Sequence, residues 1–291
     1  MKKIRVAIIG SGNIGTDLLI KVQRSEYLTC VLFVGRNLSS PGMAKAINMG
    51  IKVSDESIEG IIKNAEVIDL VFDATSAKDA KYHWEIIEKL GKIVIDMTPA
   101  KLGALCIPAV NLDDIIKERN INMITCGGQA SIPMAYAIGK SQKSIEYIEV
   151  VSSIASRSAG PATRLNLDEY VDTTEKGIKL FANVPNAKAI LNLNPAEPCI
   201  DMQTTIFALV ENPDMKKLEI EINKILLKIQ SYVPGYSLLV PPMFENGRIV
   251  IMVKAQGLGD YLPKYAGNLD IINCAAIAVA EKFSKSHNNI Q

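Results

Sequence analysis

The sequence predicts an α/β protein with a doubly wound parallel sheet, followed by an α+β part with a mostly antiparallel sheet. Up to about residue 125, short β-branched runs alternate with longer segments of helical period, as in right-handed βαβ units. Beyond that point the strand candidates are longer and fewer, and the helices are grouped. We therefore expect residues 1–126 to form one domain, residues 127–266 a second, and residues 267–291 a terminal helix that returns to the first.

The periodicity also predicts the individual elements. In the first domain, strands are expected at 4–9, 29–34, 67–72, 92–96 and 121–125, with helices at 16–25, 43–49 and 77–90. In the second, strands are expected at 144–155, 188–193, 204–210, 237–240 and 248–255, with helices from about 167, at 215–231 and at 268–284.

Composition narrows the class of protein. The chain has 291 residues, of which 48% are hydrophobic and 22% charged, enough for a sizeable buried core. A formal net charge of +1 gives no electrostatic footprint for nucleic acid or an anionic membrane, so small-molecule partners fit better. The basic N-terminus precedes an apolar run too short for a signal peptide, and the apolar stretch 271–280 is about half of a membrane span.

The five cysteines are scattered and form no C-x-x-C pair. This pattern fits neither a disulfide framework nor a zinc ribbon, so we expect a reducing cytoplasm and no metal site. Three of them, Cys30, Cys106 and Cys274, are expected to be small buried hydrophobes.

A glycine fingerprint indicates a dinucleotide-binding site of the Rossmann type. Gly10-Ser11-Gly12-Asn13-Ile14-Gly15 is a G-x-G-x-x-G between a predicted strand and an amphipathic helix. Its glycines permit a tight turn, close approach of a pyrophosphate and close helix packing, and the helix N-terminus faces the phosphates with free amides. The alternative is a glycine-rich turn without a ligand.

The end of the second strand leaves the cofactor open. A carboxylate that would hold the ribose of NAD is expected there, but the chain has Val34-Gly35-Arg36-Asn37. Arg36 could pair with the 2'-phosphate of NADP, stack on adenine or lie in solvent. At two further strand ends, Asp73-Ala74-Thr75-Ser76 and Asp96-Met97-Thr98-Pro99 either contribute to the ligand site or cap the helices that follow.

Cys126 is the candidate nucleophile. It stands in Thr125-Cys126-Gly127-Gly128-Gln129, where a predicted strand ends, the two glycines are expected to turn the chain, and a helix begins that would contain Pro133 in its first turn. A helix N-terminus lowers the pKa of a thiol, and amides of the two glycines could reach an oxyanion. A cysteine nucleophile beside a nicotinamide is the arrangement that oxidises an aldehyde through a thioester.

A general base is harder to find. The only histidines are His83, in a predicted helix, and His287, in the tail, and neither is well placed by sequence. Since a thiol ionises far more readily than water, an acceptor thiol makes less demand on a base. The missing histidine therefore favours coenzyme A as the acyl acceptor.

Motifs along the whole chain carry a resemblance to a known family. They are residues 6–15, 72–77, 96–100, 125–130, Ser158-Ala159-Gly160-Pro161, Thr163-Arg164, Leu193-Asn194-Pro195-Ala196-Glu197-Pro198 and Gly267-Asn268-Leu269-Asp270-Ile271. With them the chain resembles the acetylating, CoA-dependent acetaldehyde dehydrogenases, which form a complex with 4-hydroxy-2-oxovalerate aldolase in aromatic-ring degradation.

The resemblance implies a Rossmann domain, an α+β domain that makes homodimer contacts, and roles for particular residues. It makes Cys126 the acyl-thioester nucleophile and places Asn268 near the nicotinamide. Together with the fingerprint, the expected cofactor-binding residues are Gly10, Ser11, Gly12, Asn13, Ile14, Gly15, Arg36, Thr75, Ser158, Ala159, Gly160, Pro161, Ala162, Thr163, Arg164, Leu165, Asn166 and Asn268.

The chain departs from the family pattern at three places. Gly35-Arg36 replaces an acid after the second strand, and Ala162 stands where glycine is familiar. Thr204 stands where some members carry an aspartate proposed to assist the thiol, so that Asp201 or Glu197 would have to substitute, or no carboxylate is needed.

These features predict oxidation of acetaldehyde with NAD and coenzyme A to acetyl-CoA and NADH through a Cys126 thioester, with NADP not excluded as the cofactor. One alternative is a semialdehyde or phosphorylating dehydrogenase of the same two-domain plan. Another is a non-catalytic NAD(P)-binding regulatory protein in which Cys126 only packs.

Overall fold

A computed structural model describes residues 3–288, without the side chains of residues 161, 162, 287 and 288. The expectations for the Pro161, Ala162 and His287 side chains therefore lie outside the described residues.

The first part of the chain forms a seven-stranded parallel sheet in the order β3-β2-β1-β4-β5-β7-β6. Its strands are β1 (Ile4–Ile9), β2 (Leu28–Val34), β3 (Val53–Ser54), β4 (Leu70–Asp73), β5 (Ile93–Asp96), β6 (Ala104–Leu105) and β7 (Asn120–Asn122). Its helices are α1 (Asn13–Arg24), α2 (Pro41–Asn48), α3 (Ile58–Lys63), α4 (Ala77–Lys89) and α5 (Pro108–Asn111). The strand order reverses between β1 and β4, and in such sheets ligands bind outside the carboxyl ends of the strands at that point.

Helices cover both faces of this sheet, which is why its central strands are mostly apolar. On β1, Val6 and Ile8 pack into one cluster with Leu18 of α1, while Ala7 and Ile9 pack into another with Ile61 of α3. Successive strand side chains point to opposite faces, so a strand buried on both sides reads as a continuous hydrophobic run.

The second part forms a five-stranded sheet in the order β11-β12-β10-β8-β9. Its pairs are antiparallel except for the parallel pair β8 and β9. The strands are β8 (Tyr147–Ala155), β9 (Asn186–Asn194), β10 (Met202–Leu209), β11 (Tyr236–Glu245) and β12 (Arg248–Ala255). The helices are α6 (Cys126–Ser141), α7 (Pro161–Leu165), α8 (Leu167–Ala182) and α9 (Met215–Gln230). The predicted fold class, a parallel sheet followed by a mostly antiparallel one, is confirmed.

The predicted elements of five or more residues are present, with ends shifted by a few positions. The elements without a counterpart in the prediction are the short ones: β3, α3, β6, α5 and α7. Elements of two to six residues are too short to show a hydrophobic period.

The terminal helix α10 (Gly267–Asn288) packs mainly against the first sheet's cluster. Ile272 and Ala276 belong to that cluster, whereas Ile271 and Cys274 face the core of the second part. The buried ammonium of Lys21 on α1 reaches Asp270 of α10 at 2.7 Å, Asp260 at 2.8 Å and Asp17 at 3.0 Å. These three carboxylates lie close enough together to hold a metal ion, and in this structure they surround Lys21 instead.

Within residues 3–288, no helix combines the length and the apolar character that crossing a bilayer requires.

Candidate active site

A small cavity of about 80 Å³ lies at the carboxyl ends of the parallel strands and contains the Cys126 thiol in its wall. It is lined by Ile14, Ala74, Thr75, Ser76, Met97, Thr98, Pro99, Ile124, Thr125, Cys126, Thr163, Asn166, Tyr170, Leu269 and Ile272. Neither a histidine nor a carboxylate is among these lining residues. The start of α1 and the loops after β4 and β5 thus meet the start of α6, the segment from α7 to the start of α8, and the start of α10.

The glycine fingerprint forms the turn that the sequence predicts between β1 and α1. Gly10 has φ +113°, and a Cβ atom on it would lie 2.4 Å from the carbonyl oxygen of Ala74. A Cβ on Gly15 would lie 1.8 Å from the carbonyl oxygen of Gly10, whereas one on Gly12 would meet open space. Gly12 caps α1 without a side-chain hydrogen bond, so the first amides of the helix are available to a diphosphate.

The end of β2 and the start of α2 pack against this turn through two further glycines. A Cβ on Gly35 would lie 2.6 Å from Ser11 Oγ, and one on Gly42 would lie 2.3 Å from the Ser11 carbonyl oxygen. Arg36, next in the chain, is exposed and makes no ion pair with any residue in the described part of the chain. Its guanidinium is therefore free to meet a ligand at the adenosine end of such a site.

The two acidic strand ends hold their own loops. Asp73 accepts hydrogen bonds from the Thr75 hydroxyl at 2.5 Å and, through its other oxygen, contacts His83 Nδ1 at 2.8 Å. Asp96 accepts from the Thr98 amide at 2.8 Å and from Asn122 Nδ2 at 2.8 Å. These carboxylates and His83 shape the cavity wall through Thr75 and Thr98, without lining the cavity themselves.

Cys126 is the first residue of α6, so the helix begins at the cysteine and the two glycines belong to its first turn. The expectation that Gly127 and Gly128 turn the chain before the helix is wrong. The turn comes earlier, at Ile124, whose φ of +63° is unusual for a β-branched residue. The side chain of Thr125 caps the helix by accepting from the Gly128 amide at 2.8 Å.

Two details of the predicted nucleophile turn therefore change. The Gly128 amide is occupied by its cap, which leaves the Gly127 amide, on the thiol side, as the candidate oxyanion donor. Pro133 lies inside α6 rather than in its first turn, because the helix starts at Cys126. Proline at this position removes one backbone hydrogen bond from the helix. Most residues of α6 are buried, and their packing compensates for that loss.

Burial disfavours ionisation of the Cys126 thiol, contrary to the expectation that the helix N-terminus lowers its pKa. Burial raises its pKa to about 11, against the opposing effects of the Tyr170 hydroxyl and the Gly127 amide. Burial also raises the pKa of Cys30 to about 12 and, further still, those of Cys106 and Cys274, in keeping with their expected role as packed hydrophobes.

Helix α8 brings Tyr170 to the thiol. The Thr174 hydroxyl lies 2.7 Å from the Thr125 hydroxyl at the cap of α6, and the Thr173 hydroxyl donates to the Pro99 carbonyl oxygen at 3.0 Å. Gly177 lets the two helices approach, since a Cβ there would lie 2.6 Å from Ile132 Cδ1. Sequence reasoning missed Tyr170. A signal existed: Tyr170, Thr174 and Gly177 recur at helical spacing on one face, and hydroxyls with a glycine indicate a close polar contact.

The predicted cofactor loop reaches the cavity in part. Thr163 and Asn166 line it, whereas Leu165 is 82% exposed. Ser158 donates to the Ala155 carbonyl oxygen, and Arg164 folds back onto its own loop by donating to the Ala159 carbonyl oxygen at 3.0 Å.

Asn268 lies at the start of α10 with 1% of its surface exposed, and neither its amide nitrogen nor its amide oxygen has a hydrogen-bond partner among the described residues. The adjacent helix residues Leu269 and Ile272 line the cavity. A buried primary amide with both polar atoms free fits the carboxamide of a nicotinamide, which offers one donor and one acceptor group.

Thr204 lies near the residues that surround the Cys126 thiol. Thr204 is buried on β10, and its hydroxyl lies 2.9 Å from that of Ser152 on β8. The two carboxylates that could substitute for an aspartate have other partners. Asp201 accepts from Gln256 at 3.1 Å, and Glu197 pairs with Arg157 at 2.8 Å on the surface.

Comparison with known proteins adds two family matches. Residues 126–263 match a family model described as prokaryotic acetaldehyde dehydrogenase, dimerisation. Residues 5–118 match one described as semialdehyde dehydrogenase, NAD binding domain.

Curated relatives match over nearly the whole chain. An acetaldehyde dehydrogenase of Spirochaeta aurantia is 61% identical, covering 98% of this chain and 96% of that protein. One from Pectobacterium atrosepticum is 58% identical, covering 97% and 96%, and one from Burkholderia thailandensis is 51% identical, covering 96% and 94%.

Solved structures of low sequence identity share the fold. Aspartate semialdehyde dehydrogenase II of Vibrio cholerae in complex with ASA superposes with a TM-score of 0.64 at 14% identity, covering 98% of this chain and 100% of that chain. The Candida albicans aspartate semialdehyde dehydrogenase with NADP gives a TM-score of 0.62 at 11% identity, covering 96% and 100%. Both sheets thus recur together in other proteins.

Proposed function

Because this chain belongs to the acetaldehyde dehydrogenase family of NAD-dependent oxidoreductases, we propose that it oxidises acetaldehyde with NAD and coenzyme A to acetyl-CoA and NADH. The observation that carries the proposal is Cys126 at the N-terminus of α6, inside a small cavity beside the glycine turn of a dinucleotide fold.

The chemistry at Cys126 proceeds in two stages. The thiolate adds to the aldehyde carbon, and the Gly127 amide donates to the oxygen that becomes negatively charged. When bound, the nicotinamide cofactor would supply the hydride acceptor; the first amides of α1 after Gly12 would hold its diphosphate, and the Asn268 amide would hold its carboxamide. Loss of the hydride leaves a thioester on Cys126. The thiolate of coenzyme A then bonds to the acyl carbon, the bond from that carbon to Cys126 Sγ breaks, and Cys126 returns as thiolate.

The cavity's walls support a thiol as acceptor and a short aldehyde as substrate. No histidine or carboxylate lines the cavity, so water or phosphate would find no base there, whereas a thiol ionises without strong assistance. This disfavours a hydrolytic or phosphorylating enzyme. Ile14, Ile124, Leu269 and Ile272 give the cavity an apolar wall, and a volume of about 80 Å³ accommodates a short chain.

A rate assay tests the proposal. Absorbance of NADH is followed with acetaldehyde or propanal, each with NAD or NADP, in the presence and absence of coenzyme A. We expect turnover that depends on coenzyme A and is abolished by Cys126→Ser. Cys199→Ser is the matched control, because Cys199 is also partly exposed but does not line the cavity. Appreciable oxidation without coenzyme A, or turnover by Cys126→Ser, contradicts the proposal.

Mass spectrometry separates the enzyme from a cofactor-binding regulatory protein. After mixing with acetyl-CoA, an acetyl group on the peptide that contains Cys126 is expected. A protein that binds NAD but stays unmodified by acetyl-CoA would favour the regulatory alternative.

We further propose that the enzyme forms a homodimer through the second sheet. Helices α6, α8 and α9 cover one face of that sheet, while the other presents half-buried Val151, Thr205, Phe207, Val250 and Met252 at paired positions of three central strands. Apolar side chains grouped on a sheet face that no described helix covers are typical of an interface, and residues 126–263 match a dimerisation domain.

Light scattering during size-exclusion chromatography tests the dimer. Phe207→Glu places a charge at the centre of the face and is expected to give monomers. Tyr82→Glu, at an exposed position of α4, should leave the mass unchanged. A dimer that persists in Phe207→Glu would contradict this interface.

The family resemblance also leads us to propose a complex with a 4-hydroxy-2-oxovalerate aldolase in aromatic-ring degradation, which co-elution of the two mixed proteins would test.

The five cysteines are free thiols, which supports a reducing cytoplasm as the compartment.

A further inference from the structure

The Tyr170 hydroxyl is a buried donor next to the Cys126 thiol. Tyr170 is 6% exposed, lines the cavity with Cys126, and its hydroxyl makes no hydrogen bond of standard geometry with any other described residue. Buried hydroxyls without a partner are rare in native proteins, because leaving a donor unpaired disfavours folding. A free hydroxyl beside the Cys126 sulfur can donate a hydrogen bond to it once the sulfur is ionised.

Two further hydroxyls stand behind Tyr170. A Cβ atom on Gly127 would lie 1.9 Å from the Tyr170 hydroxyl and 3.2 Å from Ser152 Oγ, so both hydroxyls converge on the Gly127 backbone. Ser152 and Thr204 are cross-strand partners on β8 and β10, each 1% exposed, with their hydroxyls 2.9 Å apart. Thr204, Ser152 and Tyr170 thus form a buried row of hydroxyls that reaches Gly127, the residue after Cys126, and the cavity that Tyr170 and Cys126 both line.

The chemistry of these groups determines the direction of the hydrogen bonds along the row. The Tyr170 phenol is a hydrogen-bond donor in this setting, since burial raises its pKa well above its ordinary value and keeps it protonated. A thiol is a weak hydrogen-bond acceptor, whereas a thiolate is a strong one. Donation to the sulfur therefore favours the ionised form, which agrees with the effect of Tyr170 in lowering the pKa of Cys126 against burial.

We propose that Tyr170 is a catalytic residue whose hydroxyl donates a hydrogen bond to the thiolate of Cys126, and that the Ser152 and Thr204 hydroxyls position it. In this arrangement Thr204 donates to Ser152, Ser152 donates to the Tyr170 oxygen, and Tyr170 donates to the sulfur. The phenol keeps its proton, and the proton of the thiol leaves to solvent. The row supplies by hydrogen bonding what an aspartate at position 204 would supply by charge.

The inference rests on the proposed role of Cys126 as nucleophile, but its test needs neither aldehyde nor cofactor. Alkylation of the ligand-free enzyme by iodoacetamide is followed between pH 7 and pH 9 by mass spectrometry of the peptide that contains Cys126. Below the pKa of the thiol, the rate is proportional to the thiolate fraction. Tyr170→Phe is expected to slow alkylation about 10- to 100-fold across this range, the effect of removing one hydrogen bond to a charged group.

Tyr236→Phe is the matched control. Tyr236, on β11, is also fully buried, and its hydroxyl donates to the Ala130 carbonyl oxygen of α6 at 2.6 Å. The variant therefore loses a buried hydroxyl that bonds to the same helix, without touching the thiol. Its alkylation rate should equal that of the wild type. An unchanged rate in a folded Tyr170→Phe protein, or an equal fall in Tyr236→Phe, overturns the proposal.

Ser152→Ala provides a second variant if Tyr170→Phe does not fold. It removes a positioning hydroxyl and leaves the phenol, so alkylation should slow by a smaller factor, about threefold, with the same dependence on pH. An unchanged rate overturns the proposal. Failure of the proposed function itself looks different: Cys126→Ser would retain turnover, whatever the alkylation rates of the tyrosine variants.

Discussion

The hydroxyl of Tyr170 lies against the α-carbon of Gly127, close enough that a Cβ atom at position 127 would come within 1.9 Å of it. The glycine after Cys126 is therefore required by a side chain of another helix. Its φ is not in the left-handed region, so backbone freedom is not the reason.

Gly127→Ala is expected to displace Tyr170 and to lower both stability and activity. The added methyl group meets a side chain that is buried on all sides, and overpacking of this kind costs about 1–3 kcal/mol. Turnover should fall at least 100-fold because the thiol loses its neighbour. Urea unfolding and the NADH assay measure the two effects.

The double variant Gly127→Ala, Tyr170→Phe provides the control for this prediction. Since the closest clash involves the hydroxyl, its removal should restore part of the lost stability while activity stays low. Additive losses in the double variant would show that Tyr170 does not explain the requirement for glycine.

Lys21→Met is expected to destabilise the protein by about 3–5 kcal/mol, because it leaves the buried carboxylates of Asp17 and Asp270 without their cation, whereas Asp260 keeps its pairing with Arg24. Urea unfolding at pH 7 measures the change. Lys63→Met is the comparison at the surface, where Lys63 pairs with Glu56 while both are about half exposed. That variant should leave the free energy of unfolding almost unchanged, because an exposed ion pair contributes little. Equal effects of the two substitutions would contradict a structural role for the buried cluster.

Asp96 is expected to make stability fall as pH rises from about 4 to about 7. Burial and the nearby charge of Asp73 raise its pKa to about 7, although Thr98 and Asn122 donate hydrogen bonds to it. In the unfolded chain an aspartate titrates near pH 3.9, so between these values only the folded state holds the proton. The stability that this proton contributes is present below pH 4 and lost above pH 7.

Urea unfolding of the wild type and of Asp96→Asn at pH 5 and pH 8 measures this dependence. Asp96→Asn should gain on the wild type by on the order of 2 kcal/mol between the two values, because a tenfold change in proton concentration is worth about 1.4 kcal/mol. A difference between the two proteins that does not change with pH would refute the shift.

Arg36→Ala tests the choice of cofactor. Since the exposed guanidinium stands where an acid would hold the ribose of NAD, we expect the enzyme to use NADP as well, through a bond to its 2'-phosphate. The substitution should lower kcat/KM for NADP about tenfold, the worth of one charged hydrogen bond, and leave kcat/KM for NAD unchanged. Equal losses with both cofactors would indicate stacking on adenine instead.

Much of the fold and part of the site could be predicted because the signals were local. The turn from Gly10 to Gly15 follows from a spacing of glycines, and β1 was predicted at Ile4–Ile9, where it lies. The start of α6 was misplaced, because Gly127 and Gly128 read as a turn. Their place inside the helix depends on Thr125 as its cap and on the left-handed conformation of Ile124. The spacing of hydrophobic residues in the sequence reveals neither feature.

By itself, the sequence determined the two sheets, the dinucleotide turn and the candidate nucleophile, since each depends on residues that are neighbours in the chain. Only the tertiary structure decided what surrounds Cys126. Tyr170, Ser152 and Thr204 come from a helix and two strands of the second part. Close helix packing at Gly177 brings Tyr170 to the cavity that holds Cys126, and the cross-strand register places Ser152 and Thr204 behind it. Such contacts follow from packing geometry over long separations in sequence, and no local pattern encodes them.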